Sequence, residues 1–157
     1  RRLAENAADM VQVVDATGRI VFTGPSVQRL LGYTPEEIAG TSATEYLHPA
    51  DVPRTLGEIG ALLATPGVPR TVVYRLRRRD GEWRHFEGNC RTLSPTSADE
   101  GLVVNARDIT ERVRAEEALR RSEERYRVLI ENTHDIIITL DKSGHYTYQS
   151  PAFERAL

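Results

Sequence analysis

Few side chains in this sequence have the type and spacing that chemistry requires. The sequence carries one cysteine, Cys90, and four histidines, His48, His85, His134 and His145. A lone thiol forms no internal disulfide and suits a reducing compartment; the simplest role for Cys90 is a strand residue in the core or on the surface. No pair of His, Cys or carboxylate residues stands at metal-ligand spacing, so no metal is expected. Glu36-Glu37, Glu116-Glu117 and Glu123-Glu124 are adjacent pairs. Neighbours on a helix point in different directions, so these read as solvated charges and not as a general acid and base. Asp80 reads as a turn residue. No nucleophile elbow, phosphate-binding loop or kinase signature is present, and no catalysis is expected of this chain.

The composition sets the frame for what does remain. The chain has 157 residues, 39% hydrophobic and 28% charged, with a formal net charge of -2. That fits a soluble globular domain plus a piece. The charge makes no electrostatic case for nucleic acid or an anionic membrane, and no apolar run is long enough to span a bilayer. The opening Arg1-Arg2-Leu3-Ala4-Glu5-Asn6 lacks the apolar core of a signal peptide, and a cytoplasmic location is expected. A chain that starts without Met and stops at Leu157 inside a pattern is expected to be part of a longer protein.

The elements that position these residues are organised around one stretch. Residues 102–107 are β-rich, and a charged helical run follows Asp108-Ile109-Thr110. Thr110 is a suitable N-cap for that helix, and Glu111 places negative charge at its positive end. No Gly or Pro lies between Leu102 and Ser143, so strand and helix join without an obvious hinge. The sequence also repeats with a period of about 126 residues, roughly a third of the aligned positions being identical. Leu3, Asn6, Asp9, Asp15, Gly18, Pro25, Arg29 and Leu31 answer Leu129, Asn132, Asp135, Asp141, Gly144, Pro151, Arg155 and Leu157.

Within the first copy, residues 1–6 read as the tail of a helix. Residues 10–15 and 20–23 form a hairpin about a turn containing Gly18. Residues 25–31 make a short helix stopped by Gly32, and Thr34-Pro35-Glu36-Glu37 is a capping box opening a helix that ends at Gly40. Residues 43–47 form a short turn or helix, and residues 51–64 a longer helix with Val52, Leu56, Ile59, Leu62 and Leu63 at helical spacing. Strands over 70–78, 83–93 and 102–107 complete the pattern, the first two joined by a hairpin turn at Asp80-Gly81. Strands segregated from helices imply an α+β fold: an antiparallel sheet with helices on one face. A pocket between them would be lined by Val13, Leu30, Leu31, Ile59, Leu62, Tyr74, Phe86 and Val104.

The Asp-x-x-Gly hairpin turn, Leu31-Gly32-Tyr33, the capping box, His48-Pro49-x-Asp51, Arg78-Arg79-Asp80-Gly81-x-Trp83-Arg84 and the closing Asp108-Ile109-Thr110-Glu111-Arg112 together resemble a PAS domain with its C-terminal motif. Residues 114–132 resemble the linker between tandem PAS domains of bacterial sensor kinases and cyclic-dinucleotide enzymes. The resemblance implies a five-stranded antiparallel sheet with short helices on one face, able to enclose a small-molecule pocket. It divides the chain into a sensor domain (1–110), a helical linker (111–128) and the beginning of a second PAS domain (129–157). It also places an acid at the sheet exit opposite a basic residue on the neighbouring strand, here Asp108 and Arg84; the alternative is that Asp108 only caps the helix. Signal relay is thereby assigned to Arg84, Asp108, Ile109 and Thr110.

Gly88-Asn89-Cys90-Arg91 resembles the flavin-thiol motif of light-oxygen-voltage domains, but it follows the hairpin and falls in a strand instead of opening a helix. His48 and His85 are candidate haem ligands, yet the helix over 51–64, which carries the ligand in oxygen-sensing relatives, has no His. Flavin and haem are therefore disfavoured, and no cofactor is required. In the linker, Ala115, Leu119, Ser122, Tyr126 and Leu129 follow coiled-coil spacing, with Ile109 and Val113 one residue out of phase, an offset that locally unwinds a coiled coil. The alternative is a solvated helix held by its own ion pairs. Residues 129–157 bury too little to fold alone, and Ile136, Ile138 and Leu140 require cover.

The expected protein is thus a homodimeric sensory and relay module serving an effector domain of the same chain. A ligand-free dimerisation module and a flavin or haem sensor are the alternatives. A visible absorption spectrum tests the third: the protein is expected to be colourless, and bands above the aromatic region would contradict that.

Overall fold

The computed structural model describes residues 8–97 and 99–156; the helix expected over residues 1–6, and Leu157 of the repeat, lie outside the described residues. The chain divides into two compact units, Arg1–Glu111 and Arg112–Leu157.

In the first unit, strands β1 (Met10–Val14), β2 (Ile20–Thr23), β3 (Arg70–Arg77), β4 (Trp83–Thr92) and β5 (Leu102–Asp108) form one sheet in the order β2-β1-β5-β4-β3. Every neighbouring pair is antiparallel. Between β2 and β3 run helix α1 (Ser26–Leu31), helix α2 (Pro35–Ile38), 3-10 turns at Ala43–Glu45 and Pro49–Asp51, and helix α3 (Val52–Ala64). The expected α+β PAS architecture is therefore the observed one. Helix α1 stops because Gly32 adopts φ 82°, a left-handed conformation that costs glycine nothing. Helix α2 begins with a complete capping box: Thr34 Oγ1 accepts from the Glu37 N–H, and Glu37 Oε2 accepts from the Thr34 N–H. It ends at Ile38, two residues before the expected Gly40, because the Gly40 N–H is taken by the Ile20 carbonyl at 2.7 Å.

The strands alternate in burial, as a sheet covered on one face must. Met10, Gln12 and Val14 of β1, Val72, Tyr74 and Leu76 of β3, Phe86 and Cys90 of β4, and Leu102, Val104 and Ala106 of β5 are buried. Register brings them together: Tyr74 opposite Phe86, Cys90 opposite Val104, and Val104 opposite Gln12. Val13 has the opposite parity. It pairs with Phe22 and Val103 on the outer face, which corrects its assignment to the pocket.

Helix α3 is anchored by Asp51, the residue before it. Its carboxylate accepts from Arg75 Nε at 2.9 Å, Arg75 Nη2 at 2.8 Å and the Arg75 backbone N–H at 2.9 Å. The Arg75 guanidinium holds the Asp51 carboxyl at about 2, below its ordinary 3.8. Because the folded value is the lower one, this contribution is complete above pH 3.8 and disappears as the pH falls towards 2. It amounts to about 2 kcal/mol at neutral pH.

In the second unit, β6 (Ile138–Leu140) and β7 (Tyr146–Gln149) form a two-stranded antiparallel hairpin followed by helix α5 (Pro151–Ala156). Its turn reproduces the backbone bonds of the first hairpin's turn. Asp15 Oδ1 accepts from Thr17 N and Arg19 N at 2.8 and 3.1 Å; Asp141 Oδ1 accepts from Ser143 N and His145 N at 2.8 and 3.0 Å. Gly18 and Gly144 sit at φ 85° and 84°, and the register shifts at Val13/Val14 in one hairpin and Thr139/Leu140 in the other. Helix α4 (Thr110–Asn132) joins the two regions of sequence.

Asp51→Ala is expected to lower the unfolding free energy by about 2–3 kcal/mol at pH 7. Urea denaturation across a pH series should show the gap to the unsubstituted protein narrowing below pH 4. A gap independent of pH would contradict the ion-pair assignment.

Candidate functional site

The stretch 40–48 creates the site. At its start it is bonded to the β2 edge of the sheet: Gly40 N to Ile20 O at 2.7 Å, Ile20 N to Thr41 O at 2.9 Å and Ala43 N to Gly18 O at 3.0 Å. At its end it is bonded to β3, the other edge: His48 N to Arg75 O and Arg77 N to Tyr46 O, both at 2.9 Å. Helix α3 then returns across the same face. Between these segments and the sheet lies a cavity of about 120 Å³, walled by Gln12, Val14, Ile20, Leu31, Ile38, Tyr46, Leu47, Thr55, Leu56, Ile59, Val72, Tyr74, Leu76, Cys90, Leu102 and Val104.

Of the eight residues expected to line a pocket, Leu31, Ile59, Tyr74 and Val104 do so. Leu30, Leu62 and Phe86 are buried in the core away from the cavity. These three fill space between elements; apolar periodicity marks a buried face but not which part of it stays hollow. Sequence reasoning passed over Thr55, Gln12 and Cys90. Thr55 is 7% exposed, and its place four residues before Ile59 was the available clue.

Tyr74 owes its position to Gly88 on the adjacent strand. A Cβ at Gly88 would lie 2.6 Å from the Tyr74 hydroxyl oxygen and 2.9 Å from a ring carbon. Burial pushes the Tyr74 phenol up, and it pushes the Cys90 thiol up to about 11. Both are therefore neutral at pH 7, and a protonated thiol is a poor nucleophile.

The second constellation lies where β5 leaves the sheet. Arg84 Nη1 donates to Asp108 Oδ2 at 3.3 Å, the two side chains being 22% and 18% exposed. Asp108 Oδ1 also accepts the Thr110 backbone N–H at 2.9 Å. The ion pair and the cap, posed as alternatives, coexist on the two oxygens of one carboxylate. Thr110 is not the N-cap: it is the first helical residue, and its Oγ1 accepts the His85 N–H at 3.0 Å. Ile109, 6% exposed, donates its N–H to the His85 carbonyl at 2.9 Å. His85 thus enters through its backbone, for which sequence offers no signal. His48 is occupied otherwise: its Nδ1 accepts from Ala50 N at 3.1 Å, and its ring lies 4.6 Å from that of Trp83.

On α4, Ala115, Leu119, Ser122, Tyr126 and Leu129 are all exposed, Leu119 and Leu129 at 62%. In the second unit Ile136, Ile138 and Leu140 are exposed, and among the described residues 112–156 only Ser150 and Ala152 are buried. Among the described residues no group of His, Cys, Asp and Glu is arranged to hold a metal ion, and no helix is long and apolar enough to cross a membrane. His134 and His145 belong to this second unit, outside both constellations.

A sheet in this order, with short helices closing a cavity over one face and a helix leaving its central strand, defines an α+β sensory and signalling module. The family model described as PAS fold matches residues 20–104, and the chain belongs to that family. It is 37% identical over 86 residues to the white collar 2 protein of Neurospora crassa, covering 55% of this chain and 16% of that protein. The uncharacterized protein y4lL of Sinorhizobium fredii is 27% identical over 154 residues, 96% of this chain and 18% of that one. The chain thus spans less than a fifth of either relative. Among solved structures, a sensory box histidine kinase/response regulator from Burkholderia thailandensis superposes with TM-score 0.64 at 31% identity, covering 80% of this chain and 96% of that one.

Gly88→Ala is expected to destabilise the domain by about 1–3 kcal/mol, the cost of overpacking. Combined with Tyr74→Leu it should cost less than it does alone, as measured by a double-mutant cycle in urea. Equal costs in both backgrounds would exclude the clash.

Proposed function

We propose that this chain is the sensory and relay part of a bacterial multi-domain signalling protein, a sensor histidine kinase or a cyclic-dinucleotide enzyme. Its cavity takes a small molecule, and the Asp108-Ile109-Thr110 junction passes the change to α4. The observation that carries this reading is the double use of Asp108, which holds a sheet residue, Arg84, with one oxygen and the first helical N–H with the other. A shift of β4 against β5 alters the Arg84 bond and the His85 bonds to Ile109 and Thr110, and the Asp108 carboxylate carries the same change to the first helical N–H, so sheet geometry sets the exit direction of the helix. A ligand moves this balance only by its differential affinity for the two states.

The bacterial context is supported by the Burkholderia thailandensis structure and by y4lL, which matches along 96% of this chain. The fungal match stops at 86 residues. Residues 114–132 serve as an inter-domain linker, residues 129–157 as the beginning of a second PAS domain, and residues 108–112 as the closing motif of the first. The repeated hairpin, alike in the backbone bonds of its turn and in its bulge position, supports that division. The exposed stripe on α4 favours a homodimer through paired helices, and it also supports the second reading, a ligand-free dimerisation and relay module. The chain performs no catalysis itself and acts on an effector domain of the same protein, in the cytoplasm. The cavity's small volume argues against a haem or a tricyclic flavin.

Asp108→Asn keeps a capping oxygen and removes the charge, whereas Asp108→Ala removes both. Each should cost no more than about 1–2 kcal/mol, and both should change the output of the full-length protein across its stimulus range. Normal output from both variants would refute the relay, and outright unfolding would show a structural role instead.

A further inference from the structure

Among the described residues a second cleft, of about 470 Å³, opens at the end of the sheet where β5 leaves it. It shares no lining residue with the cavity under the helices. Four arginines from four places in the chain line it: Arg29 in the last turn of α1, Arg78 just after β3, Arg84 near the start of β4 and Arg107 near the end of β5. Asp9 and Asp108 are the carboxylates in its wall. The Asp9 carboxylate accepts from Arg107 Nε and Nη2, both at 3.2 Å. Asp108 accepts from Arg84 with one oxygen at 3.3 Å and from the Thr110 N–H with the other. From outside the wall, Glu82 accepts from Arg78 Nη1 at 3.2 Å and lies 3.4 Å from Arg84 Nε, and Asp80 lies 3.8 Å from Arg78 Nε. The guanidinium groups of Arg78 and Arg84 thus make a single hydrogen bond each among the described residues, although each is a fork of several donors. Their Nε–H groups are enclosed without a hydrogen bond. These two groups do not reach the cleft, but they show that the carboxylates present leave the cluster short of acceptors.

The wall selects the class of ligand. A guanidinium fork matches the oxygens of a carboxylate or a phosphate, and hydrogen bonds of this charged kind are the strong ones. A neutral or cationic molecule would leave the spare donors as they are. A volume of about 470 Å³ falls within the range of about 300–1,000 Å³ usual for small-molecule sites. It far exceeds the roughly 30 Å³ share of one water, so a bare ion would not fill it. We propose that this cleft is a second ligand site, separate from the cavity, and that it binds a small organic oxyanion, a dicarboxylate or a phosphate ester, through Arg78 and Arg84. Such an anion competes with the Asp108 carboxylate for Arg84. Binding is independent of any relay, whereas its effect on α4 rests on the reading of Asp108 as the relay.

The test titrates succinate, inorganic phosphate and uncharged succinamide into the protein at constant ionic strength, because exposed arginines attract any anion weakly. NMR follows the Nε–H signals of Arg78 and Arg84 and the Thr110 amide, whose bond to Asp108 reports the competition. Succinate or phosphate should saturate, shifting all three signals along one curve; succinate alone assigns a dicarboxylate, and phosphate alone a phosphate ester. Succinamide should not saturate. Arg78→Gln and Arg84→Gln should each weaken the anion about 10-fold, the value of one charge-assisted hydrogen bond. Arg91→Gln, on the exposed surface of β4 and outside the cleft, should leave it within about twofold. Asp108→Asn removes the competing charge and should tighten the anion several-fold, and with Arg78→Gln it decides the matter should Arg84→Gln fail to fold. No saturation by either anion, succinamide binding as tightly as succinate, Arg91→Gln weakening the anion as much as Arg78→Gln, or weaker binding to Asp108→Asn would each overturn the proposal. Binding as expected in a full-length protein whose output does not respond would uphold the site and count against the relay.

Discussion

The fold depends on a stretch of nine residues being bonded to both edges of one sheet. Residues 40–48 start on β2 and finish on β3, five backbone hydrogen bonds holding the two ends. Edge strands otherwise present unpaired N–H and C=O groups to solvent, and the same bonds that fix the crossing satisfy one end of each edge, at Gly18 and Ile20 on one side and Arg75 and Arg77 on the other. A span fixed at both ends cannot collapse onto the middle of the sheet. The helices it carries therefore close over a hollow, where helices free to approach would have packed it solid at interior density. The Asp51–Arg75 contact pins the start of α3 to β3 and fixes the far side of that hollow.

The same sheet joins the hollow to the exit helix. Tyr74, which walls the cavity, stands opposite Phe86, and Phe86 stands opposite Asp108. One residue along, His85 holds Ile109 and Thr110 by its backbone. An occupant that displaces Tyr74 presses on a strand whose next residue carries the start of α4. The coupling is short because it runs across the strands, through neighbouring register pairs. The Arg84–Asp108 pair at this crossing is only partly exposed, its side chains at 22% and 18%, and the relay proposed for it requires the contact to exchange between two arrangements.

Much of the architecture was legible because it is written in local chemistry. The Thr34 capping box, the Gly32 stop and the Asp15 and Asp141 turns each follow from residues within four positions of one another. The 126-residue repeat carried over because turn bonds depend on those same local residues. What sequence could not supply depends on three-dimensional register. Val13 and Val14 are alike in composition, and the parity of β1 in its unbroken register with β5 decides which faces the core. Leu62 and Phe86 are as apolar as Ile59, but they fill space that Ile59 only borders. Thr55 looked like an ordinary polar helix residue, although it is buried and borders the cavity. Thr110 looked like a cap because Ser and Thr commonly are, whereas Asp108, two residues earlier, holds the helix's first N–H.

The central claim is that occupancy of the cavity is felt at the sheet exit. It is tested most directly by recording backbone amide shifts and hydrogen exchange of Ile109 and Thr110 while phenol, a small uncharged probe of a size suited to a cavity of about 120 Å³, is titrated into the full chain. The account predicts that both amides respond along the same saturation curve as the Val72 and Val104 methyls, while the Thr17 and Arg19 amides of the distant β1–β2 turn stay still. Junction amides that remain unchanged when the cavity is saturated would contradict it.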